Sequence, residues 1–454
     1  MAGNDLPLST LTWLGGDRTL ARRVGRPVRN FLRVEAAGGI LLLIATLVAI
    51  VWANSPWSES YHTILETHIS FQVGDLLELD ESILDWVNDA LMAIFFFVVG
   101  LEIKRELVTG ELRDPRAAAL PAIAAVGGMA VPALIYLLIN AGGDGAQGWG
   151  IPMATDIAFA VGVVSLLGDR VPSAMKVFLL TLAIVDDIGA IAVIAFFYTD
   201  DFSSIWFLLA IAGILVVVAM RIVKIWWIPA YVVAGTFIWL AVFESGIHAT
   251  IAGVILGLIT PAVPLKSSIE DGADELVRQV AAGTASAPVV RRVNFELKEQ
   301  VSVASRLDDV LHPFSSYIII PVFALANAGV MLSTDTLSGA VTSPVTLGIV
   351  IGLVFGKLIG ISFFTWVAIR SGLASLPRGA SWVDVIGLAA MAGIGFTVSL
   401  FVTGLAFDEP LLADEARIGI LAASAIAAVF GAAILSRSKV VPEVEMDELV
   451  PTPS

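Results

Sequence analysis

The chain has 454 residues, of which 57% are hydrophobic and 15% are charged. Soluble domains carry about 25% charged residues, so this composition predicts a protein that crosses a membrane several times. The lack of cysteine excludes disulfides and cysteine-ligated metal clusters, and no cofactor is expected. The net charge of −15 argues against nucleic acid as a partner, because nucleic acid requires a basic surface.

Twelve apolar segments are long enough to cross about 30 Å of hydrocarbon. They are residues 33–53, 86–108, 117–139, 151–168, 175–198, 204–221, 225–243, 247–263, 313–333, 345–369, 382–407 and 414–436. The sequence therefore predicts an all-α polytopic membrane protein with twelve transmembrane helices, in a transmembrane domain that occupies residues 33–437.

The lysine and arginine residues predict the orientation. If the N-terminus is cytoplasmic, all of them except Lys357 and Arg417 lie on the cytoplasmic side of the predicted spans. This distribution predicts that both termini are cytoplasmic. Residues 1–32 would then form a cytoplasmic N-terminal segment and 264–310 a cytoplasmic linker that becomes partly helical. Residues 438–454 would form an acidic disordered tail.

One segment between the first two predicted spans differs from the rest of the chain. Residues 57–82 alternate polar and apolar side chains around Val73-Gly74-Asp75. This alternation, with a turn sequence at its centre, predicts a short external β-hairpin.

Five ionisable residues lie at membrane depth: Asp89, Asp156, Asp186, Asp187 and Lys357. A charge near the bilayer centre costs about 2.5–17 kcal/mol, so such residues usually belong to an ion or proton pathway. Asp89 could instead be an interfacial helix cap, and Lys357 could form a structural ion pair. Four deep carboxylates cannot all be neutralised by one lysine, which favours a functional interpretation of the set.

Two of the predicted spans are interrupted by residues that disfavour a regular helix. The fourth contains Pro152 and the polar pair Thr155-Asp156, and the eleventh contains Gly393-Ile394-Gly395. Interrupted spans in corresponding positions of two halves are typical of transporter sites. Spans 3–5 and 10–12 would be inverted repeats, each with one discontinuous helix. Asp156 and Lys357 have the charges needed to compensate the exposed helix ends.

The motifs around these residues closely resemble those of NhaA-type Na⁺/H⁺ antiporters. They are ATDIAFAVG, LAIVDDIGAIAVIAFFY, VNDALMAIFFFVVGLEIKREL, SGIHATIAG, LHPFSSYIIIPVFALANAGV and GIGFTVSLF, and the resemblance covers about residues 30–437. It implies a bacterial inner-membrane homodimer of twelve helices with two crossed broken helices. Such a protein is not an enzyme. It exchanges Na⁺ or Li⁺ for more than one proton per cation and is regulated by pH.

The resemblance also assigns roles in the membrane. Asp187 would be the principal ligand of the transported Na⁺, with Asp186 beside it as the candidate partner of Lys357. Thr155 and Asp156 would stand at the break of the fourth helix and could contribute to binding the cation or proton. The family's tenth helix usually has proline after the lysine, whereas this chain has Leu358, so the helix around Lys357 is expected to differ locally.

Further roles follow from the resemblance on either side of the membrane. Residues 57–82 match a hairpin used for dimerisation. The residues that match the family's pH-response positions are Glu102, Arg105, Glu106, Asp308, His312 and His248.

Two other classes of function stay open at this point. A different proton-coupled cation transporter or a cation channel could use the same carboxylates, although a channel requires a continuous pore lined by carbonyls or charges. An intramembrane aspartyl protease would need one aspartate on each of two helices, one of them in a Gly-x-Gly-Asp sequence. The nearest match, Leu166-Leu167-Gly168-Asp169, lacks the first glycine.

Overall fold

The computed structural model describes residues 37–73, 77–199, 202–223, 225, 227–264, 278, 282, 286–377 and 379–438. The predicted N-terminal segment at 1–32 and the predicted tail beyond residue 438 lie outside these residues. So do residues 74–76, where the hairpin turn was predicted, and most of 265–285 in the predicted linker.

The described residues are predominantly helical. The first half contains α1 (Ala37–Ala53), α2 (Ser58–Leu65), α3 (Ile83–Val108), α4 (Pro115–Ile139), a 3₁₀ helix (Asp144–Met153), α5 (Ile157–Leu166), α6 (Ser173–Phe197), α7 (Ser204–Ile222), α8 (Ile228–Phe243) and α9 (Thr250–Ile259). The second half contains α10 (Ala287–Glu299), α11 (Val303–Asn327), α12 (Thr334–Thr342), α13 (Pro344–Arg370), α14 (Trp382–Met391), α15 (Phe396–Ala406) and α16 (Pro410–Leu435). Two strands, β1 (His68–Val73) and β2 (Leu77–Ser82), precede α3.

The helices confirm an all-α membrane protein. Within the described part of the chain, 7 helices are long and apolar enough to cross a membrane, or up to 10 if each bent pair is one span. Every predicted span coincides with a helix, but α8 and α9 are short. The 10 residues of α9 rise only about 15 Å, half the thickness of the hydrocarbon. The count of twelve spans and the inverted repeats therefore stay predictions.

Two discontinuous helices occur where the sequence predicted them. The 3₁₀ helix and α5 are bent by 46° across residues 154–156, and α14 and α15 are bent by 43° across residues 392–395. The breaks meet, because the Asp156 amide donates to the Ile394 carbonyl at 2.7 Å. A side chain at Gly395 would collide with the Ser399 hydroxyl and approach the Ala154 carbonyl, so glycine permits this close crossing.

Helices α4 and α13 pack closely beside the crossing. A Cβ atom on Gly127 would lie 2.5 Å from the Gly360 carbonyl oxygen, and one on Gly360 would collide with Gly127. One residue further along, Gly128 faces Ile361 of α13 and the Asp186 carboxylate of α6. These glycines let α13 approach closely enough for Lys357 to reach the interior of the bundle.

The two-stranded hairpin is confirmed, but it is shorter than predicted. Strands β1 and β2 pair antiparallel, with His68 opposite Ser82. Residues 58–65, which were assigned to the hairpin, form α2 instead. Tyr61 turns inward from this helix, and its hydroxyl lies 2.8 and 3.0 Å from the Leu325 and Ala326 carbonyl oxygens, to one of which it can donate.

The ninth predicted span begins earlier than expected. It was placed at 313–333, with residues up to 310 in the linker, but α11 begins at Val303 and ends at Asn327. Ser302 caps the start, since its hydroxyl accepts from the Ser305 amide at 3.1 Å. Residues 303–310, which were predicted as the partly helical end of the linker, form the first turns of this helix. Asp308 and His312 therefore lie on one continuous helix.

Candidate ion-binding site

A lysine–aspartate ion pair lies at the centre of the bundle. Lys357 Nζ is 2.6 Å from Asp186 Oδ2, and both side chains are fully buried. Lys357 belongs to α13 and Asp186 to α6, so the ion pair links these two helices. The chain lacks a proline after Lys357, and the irregularity lies just before the lysine instead, in a π-helical turn at Gly352–Gly356. The pair suggested by the resemblance is therefore present in this structure.

Thr155 connects this pair to the end of a broken helix. Its Oγ1 accepts from Lys357 Nζ at 3.0 Å and lies 2.8 Å from Asp186 Oδ2 and 2.9 Å from the Ala392 carbonyl oxygen. A hydroxyl has one hydrogen, so Thr155 can donate to only one of these two acceptors at a time. Ala392 is the C-cap residue of α14, and the C-terminal end of a helix carries partial negative charge. The Lys357 ammonium thus lies close to a helix end that it can compensate.

Asp156 contacts the beginnings of two half-helices. Its Oδ1 accepts from the Phe159 amide of α5 at 2.9 Å. Its Oδ2 accepts from the amide and the hydroxyl of Thr397 in α15, at 3.1 and 2.7 Å. Helix N-termini carry partial positive charge and unpaired amides, which one carboxylate here neutralises for both helices. Both oxygens of Asp156 are therefore already engaged.

Among the residues that the structure describes, Asp187 forms no ion pair, unlike Asp186, and it has a carboxylate oxygen without a hydrogen-bond partner. Successive residues of a helix are rotated by about 100°, so Asp187 points away from the Lys357–Asp186 pair. Its Oδ1 is buried and has no hydrogen bond to any described residue, while the residue as a whole is 6% exposed. Asp186 Oδ1 is also without a partner, but Asp186 is fully buried. Asp187 is thus a buried carboxylate with a small fraction of its surface accessible to solvent.

A second cluster of charges joins the C-terminal end of α3 to the N-terminal half of α11. Arg105 Nη1 is 2.6 Å from Asp308 Oδ2, and His312 Nε2 is 3.7 Å from Glu102 Oε1. Asp308 is buried, and its second oxygen has no partner among the described residues. Glu106 is separate from these contacts, because its Oε2 accepts from the Glu111 amide at 2.9 Å. The structure brings together four of the five residues predicted to lie there.

Comparison with known proteins agrees with this architecture. A family model described as Na⁺/H⁺ antiporter 1 matches residues 29–435. The chain belongs to this family. It is 46% identical to the Na(+)/H(+) antiporter NhaA 3 of Frankia alni over 92% of this chain and 90% of that protein. It is also 46% identical to the Na(+)/H(+) antiporter NhaA of Rhodopirellula baltica, over 90% of this chain and 93% of that protein.

A solved structure, that of the sodium proton antiporter MjNhaP1 from Methanocaldococcus jannaschii at pH 8, is 12% identical to the chain. The match covers 91% of this chain and 99% of that one, with a TM-score of 0.48.

Two other predicted residues of this antiporter-family chain lie at the opposite end of α3 from the charged cluster. His248 precedes α9, and its ring centroid is 6.4 Å from that of Phe401. Helix α9 runs parallel to α3, with Gly253 against Ala93 and Gly257 against Gly100. His248 is therefore far from Glu102 along the membrane normal. Asp89 lies in a π-helical turn of α3, where its carbonyl accepts from Trp239 Nε1 at 3.1 Å.

One contact residue of this family member was not predicted as part of the site. The sequence analysis assigned no role to Thr397, although it donates two hydrogen bonds to Asp156. Thr397 is the second residue of α15, after the Gly393-Ile394-Gly395 break that the sequence had predicted. That signal was present, but it could not show that the acceptor lies 241 residues away in the sequence.

Proposed function

We propose that the chain is a secondary antiporter that exchanges Na⁺ for protons, with Asp187 as the exchanging carboxylate. The observation that supports this most directly is the unpartnered, buried Oδ1 of Asp187 beside an ion pair that is already neutral. Membership of the Na⁺/H⁺ antiporter 1 family is the second support.

The chemistry of exchange follows from competition at one carboxylate. Hard cations prefer oxygen ligands, which Asp187, Thr155 and water can provide, and Li⁺ has the same preference as Na⁺. Asp186 and Asp156 are close enough to add negative charge, but hydrogen bonds occupy both oxygens of Asp156. A buried, charged carboxylate is unfavourable in a region of low dielectric. The site can therefore change its access from one side of the membrane to the other only when its charge is neutralised. A proton or a cation can do so, but not both at once.

More than one proton per cation would make the exchange electrogenic and allow the proton gradient to drive Na⁺ out of the cell. The first proton would be carried by Asp187. Asp186 or Lys357 would carry the second, since they form the buried ion pair next to Asp187, which directly follows Asp186 in the sequence. The basic residues at one end of the helices support cytoplasmic termini, and we place the protein in a bacterial inner membrane.

Proton movement in everted membrane vesicles tests this proposal. After respiration or ATP hydrolysis has established a proton gradient, addition of Na⁺ or Li⁺ should restore the fluorescence of a quenched pH dye, whereas K⁺ should not. A channel would instead pass Na⁺ along its own gradient without moving protons. Vesicles in which Na⁺ leaves the dye quenched would contradict antiport.

We also propose that Glu102, Arg105, Asp308 and His312 regulate exchange by pH. Their contacts link α3 to α11 on the cytoplasmic side, and histidine changes charge near neutral pH. Protonation or deprotonation of these groups would strengthen or weaken the ion pairs between α3 and α11. His248 could add to the response from the other end of α3.

Substitution of Asp308 tests this regulation. Asp308→Asn removes one negative charge, which makes proton binding by the remaining groups less favourable. The activity–pH curve should therefore move toward lower pH by about half a unit or more, while the maximal rate at saturating Na⁺ changes little. The curve should be measured at several Na⁺ concentrations, because competition at Asp187 shifts with Na⁺ and a remote sensor does not.

The neighbouring Asp309 provides the control for that measurement. Asp309 is exposed on the same turn of α11, so solvent screens its charge. Asp309→Asn makes the same chemical change and should move the curve much less than Asp308→Asn does. A depressed maximal rate with an unmoved curve in Asp308→Asn would mean that Asp308 supports only the fold.

We propose that the hairpin mediates a homodimer. A short two-stranded sheet has unpaired edges, and such edges add strands from a partner. Replacing residues 69–81 by Gly-Gly would join His68 to Ser82, which are already opposite each other, and would leave Tyr61 and α2 intact. The variant should be monomeric by native mass spectrometry and should keep exchanging Na⁺, because the residues of the ion site lie within one protomer. A dimer of undiminished stability would exclude the hairpin as the interface.

A further inference from the structure

Thr397 joins the two broken helices through a single carboxylate. Its amide and its hydroxyl both donate to Asp156 Oδ2, and Thr397, like Asp156, is almost completely buried. The Asp156 amide in turn donates to the Ile394 carbonyl in the other break. Removal of the hydroxyl would leave the Thr397 amide as the one donor that Thr397 offers to Oδ2.

The position of Asp156 affects the ion site because Thr155 precedes it directly. The Thr155 hydroxyl contacts Lys357, Asp186 and the Ala392 carbonyl at distances of 2.8 to 3.0 Å. Residues 154–156 belong to neither half-helix. The backbone of Asp156 is held by two hydrogen bonds, from its amide to the Ile394 carbonyl and from the Ala160 amide to its own carbonyl at 2.9 Å. The side-chain contacts of Asp156 with α5 and α15 add to this constraint.

We propose that Thr397 is a positioning residue, which holds Asp156 against the starts of α5 and α15 and thereby places Thr155 for cation binding at Asp187. Thr397 acts through Asp156 and does not touch the cation. It also keeps Asp156 Oδ2 occupied, so that this carboxylate does not compete with Asp187 for Na⁺. This inference rests on the proposed exchange at Asp187 and adds a residue that determines the affinity for the cation.

The test is the Na⁺ dependence of exchange in Thr397→Val, measured in vesicles at fixed pH. The apparent KM for Na⁺ should rise about tenfold, which corresponds to about 1.4 kcal/mol. The maximal rate should stay within about twofold of wild type, because Asp187, Asp186 and Lys357 are unchanged. Thr397→Ser retains the hydroxyl and should restore the wild-type KM.

Thr403 provides a matched control on the same helix. It is also fully buried, but its hydroxyl donates to the Ser399 carbonyl of its own helix at 2.8 Å. Thr403→Val should therefore leave the KM for Na⁺ unchanged. A second measurement combines Thr397→Val with Asp156→Asn. If Thr397 acts through the carboxylate, the two effects on KM should be less than additive.

Several outcomes would overturn the inference. One is a lower maximal rate with an unchanged KM in Thr397→Val. Another is a Thr397→Ser variant no better than Thr397→Val. If Thr397→Val and Thr397→Ala both fail to fold while Thr403→Val folds, Thr397 serves the fold and not the ion site. Absence of Na⁺-driven proton movement in the wild type would instead contradict the proposed function, so the two failures are distinguishable.

Discussion

Asp187→Asn should abolish Na⁺-driven proton movement while the protein still folds and inserts. The substitution preserves the shape of the side chain but removes the charge that the cation and the proton compete for. An amide carries no charge to balance the cation and does not take up the proton, so exchange should fall below about 1% of wild type, a loss of about 2.8 kcal/mol or more. Fluorescence dequenching in everted vesicles measures the rate, and the amount of folded protein is measured by size-exclusion chromatography in detergent.

Asp408→Asn is the control for this substitution. Asp408 is exposed beyond the end of α15, so the same chemical change there should leave exchange unaltered. Exchange at the wild-type rate in Asp187→Asn would remove Asp187 from the mechanism. Asp186→Asn should be compared in the same assay, because the two aspartates differ in their contacts. Asp186 faces Lys357, whereas Asp187 Oδ1 has no partner among the residues that the structure describes.

Lys357→Ala should lower the stability of the protein by about 3–5 kcal/mol, because it leaves the Asp186 carboxylate buried without its countercharge. We expect a lower melting temperature in detergent, which intrinsic tryptophan fluorescence measures. The double variant Asp186→Asn, Lys357→Gln replaces both charges with neutral groups. It should be more stable than the less stable of the two single variants, since a buried pair adds little net stability over neutral partners.

The double-mutant cycle isolates the direct contact. Strictly additive losses would exclude pairing between Asp186 and Lys357 in the population measured. Lys176→Ala is the control, because Lys176 lies in the first turn of α6, the helix that also carries Asp186. Its removal should change the melting temperature little, as substitutions away from buried pairs usually do.

Local composition determined most of the helices. The predicted span at 175–198 corresponds to Ser173–Phe197, and that at 382–407 corresponds to the pair that ends at Ala406. The length of an apolar segment can be read from consecutive residues. The disruption of a helix by proline or by closely spaced glycines is also a local effect of the sequence. The sequence could therefore locate both breaks and the deep charges without knowledge of the fold.

Local composition misplaced the start of one helix and missed another. The sequence predicted a partly helical linker up to residue 310 and a span from residue 313, whereas α11 runs without interruption from Val303 to Asn327. Residues 58–65 were predicted as part of a hairpin, but they form α2, in which the inward-facing Tyr61 hydroxyl contacts the Leu325 and Ala326 carbonyls. In this second case the partner of the deciding side chain lies in a distant part of the chain.

The sequence by itself determined that this chain crosses a membrane and that it carries unpaired charges and broken helices there. Only the tertiary structure decided what each charge contacts. Asp186 and Asp187 are adjacent and chemically identical, and the residues alone do not distinguish them; only the family resemblance suggested which one Lys357 would meet. The lysine is 171 residues away from Asp186, and Thr397 is 241 residues away from Asp156. Partners so distant in sequence are set by how the helices pack and rotate, so the carboxylate left unpaired is a consequence of the assembled bundle.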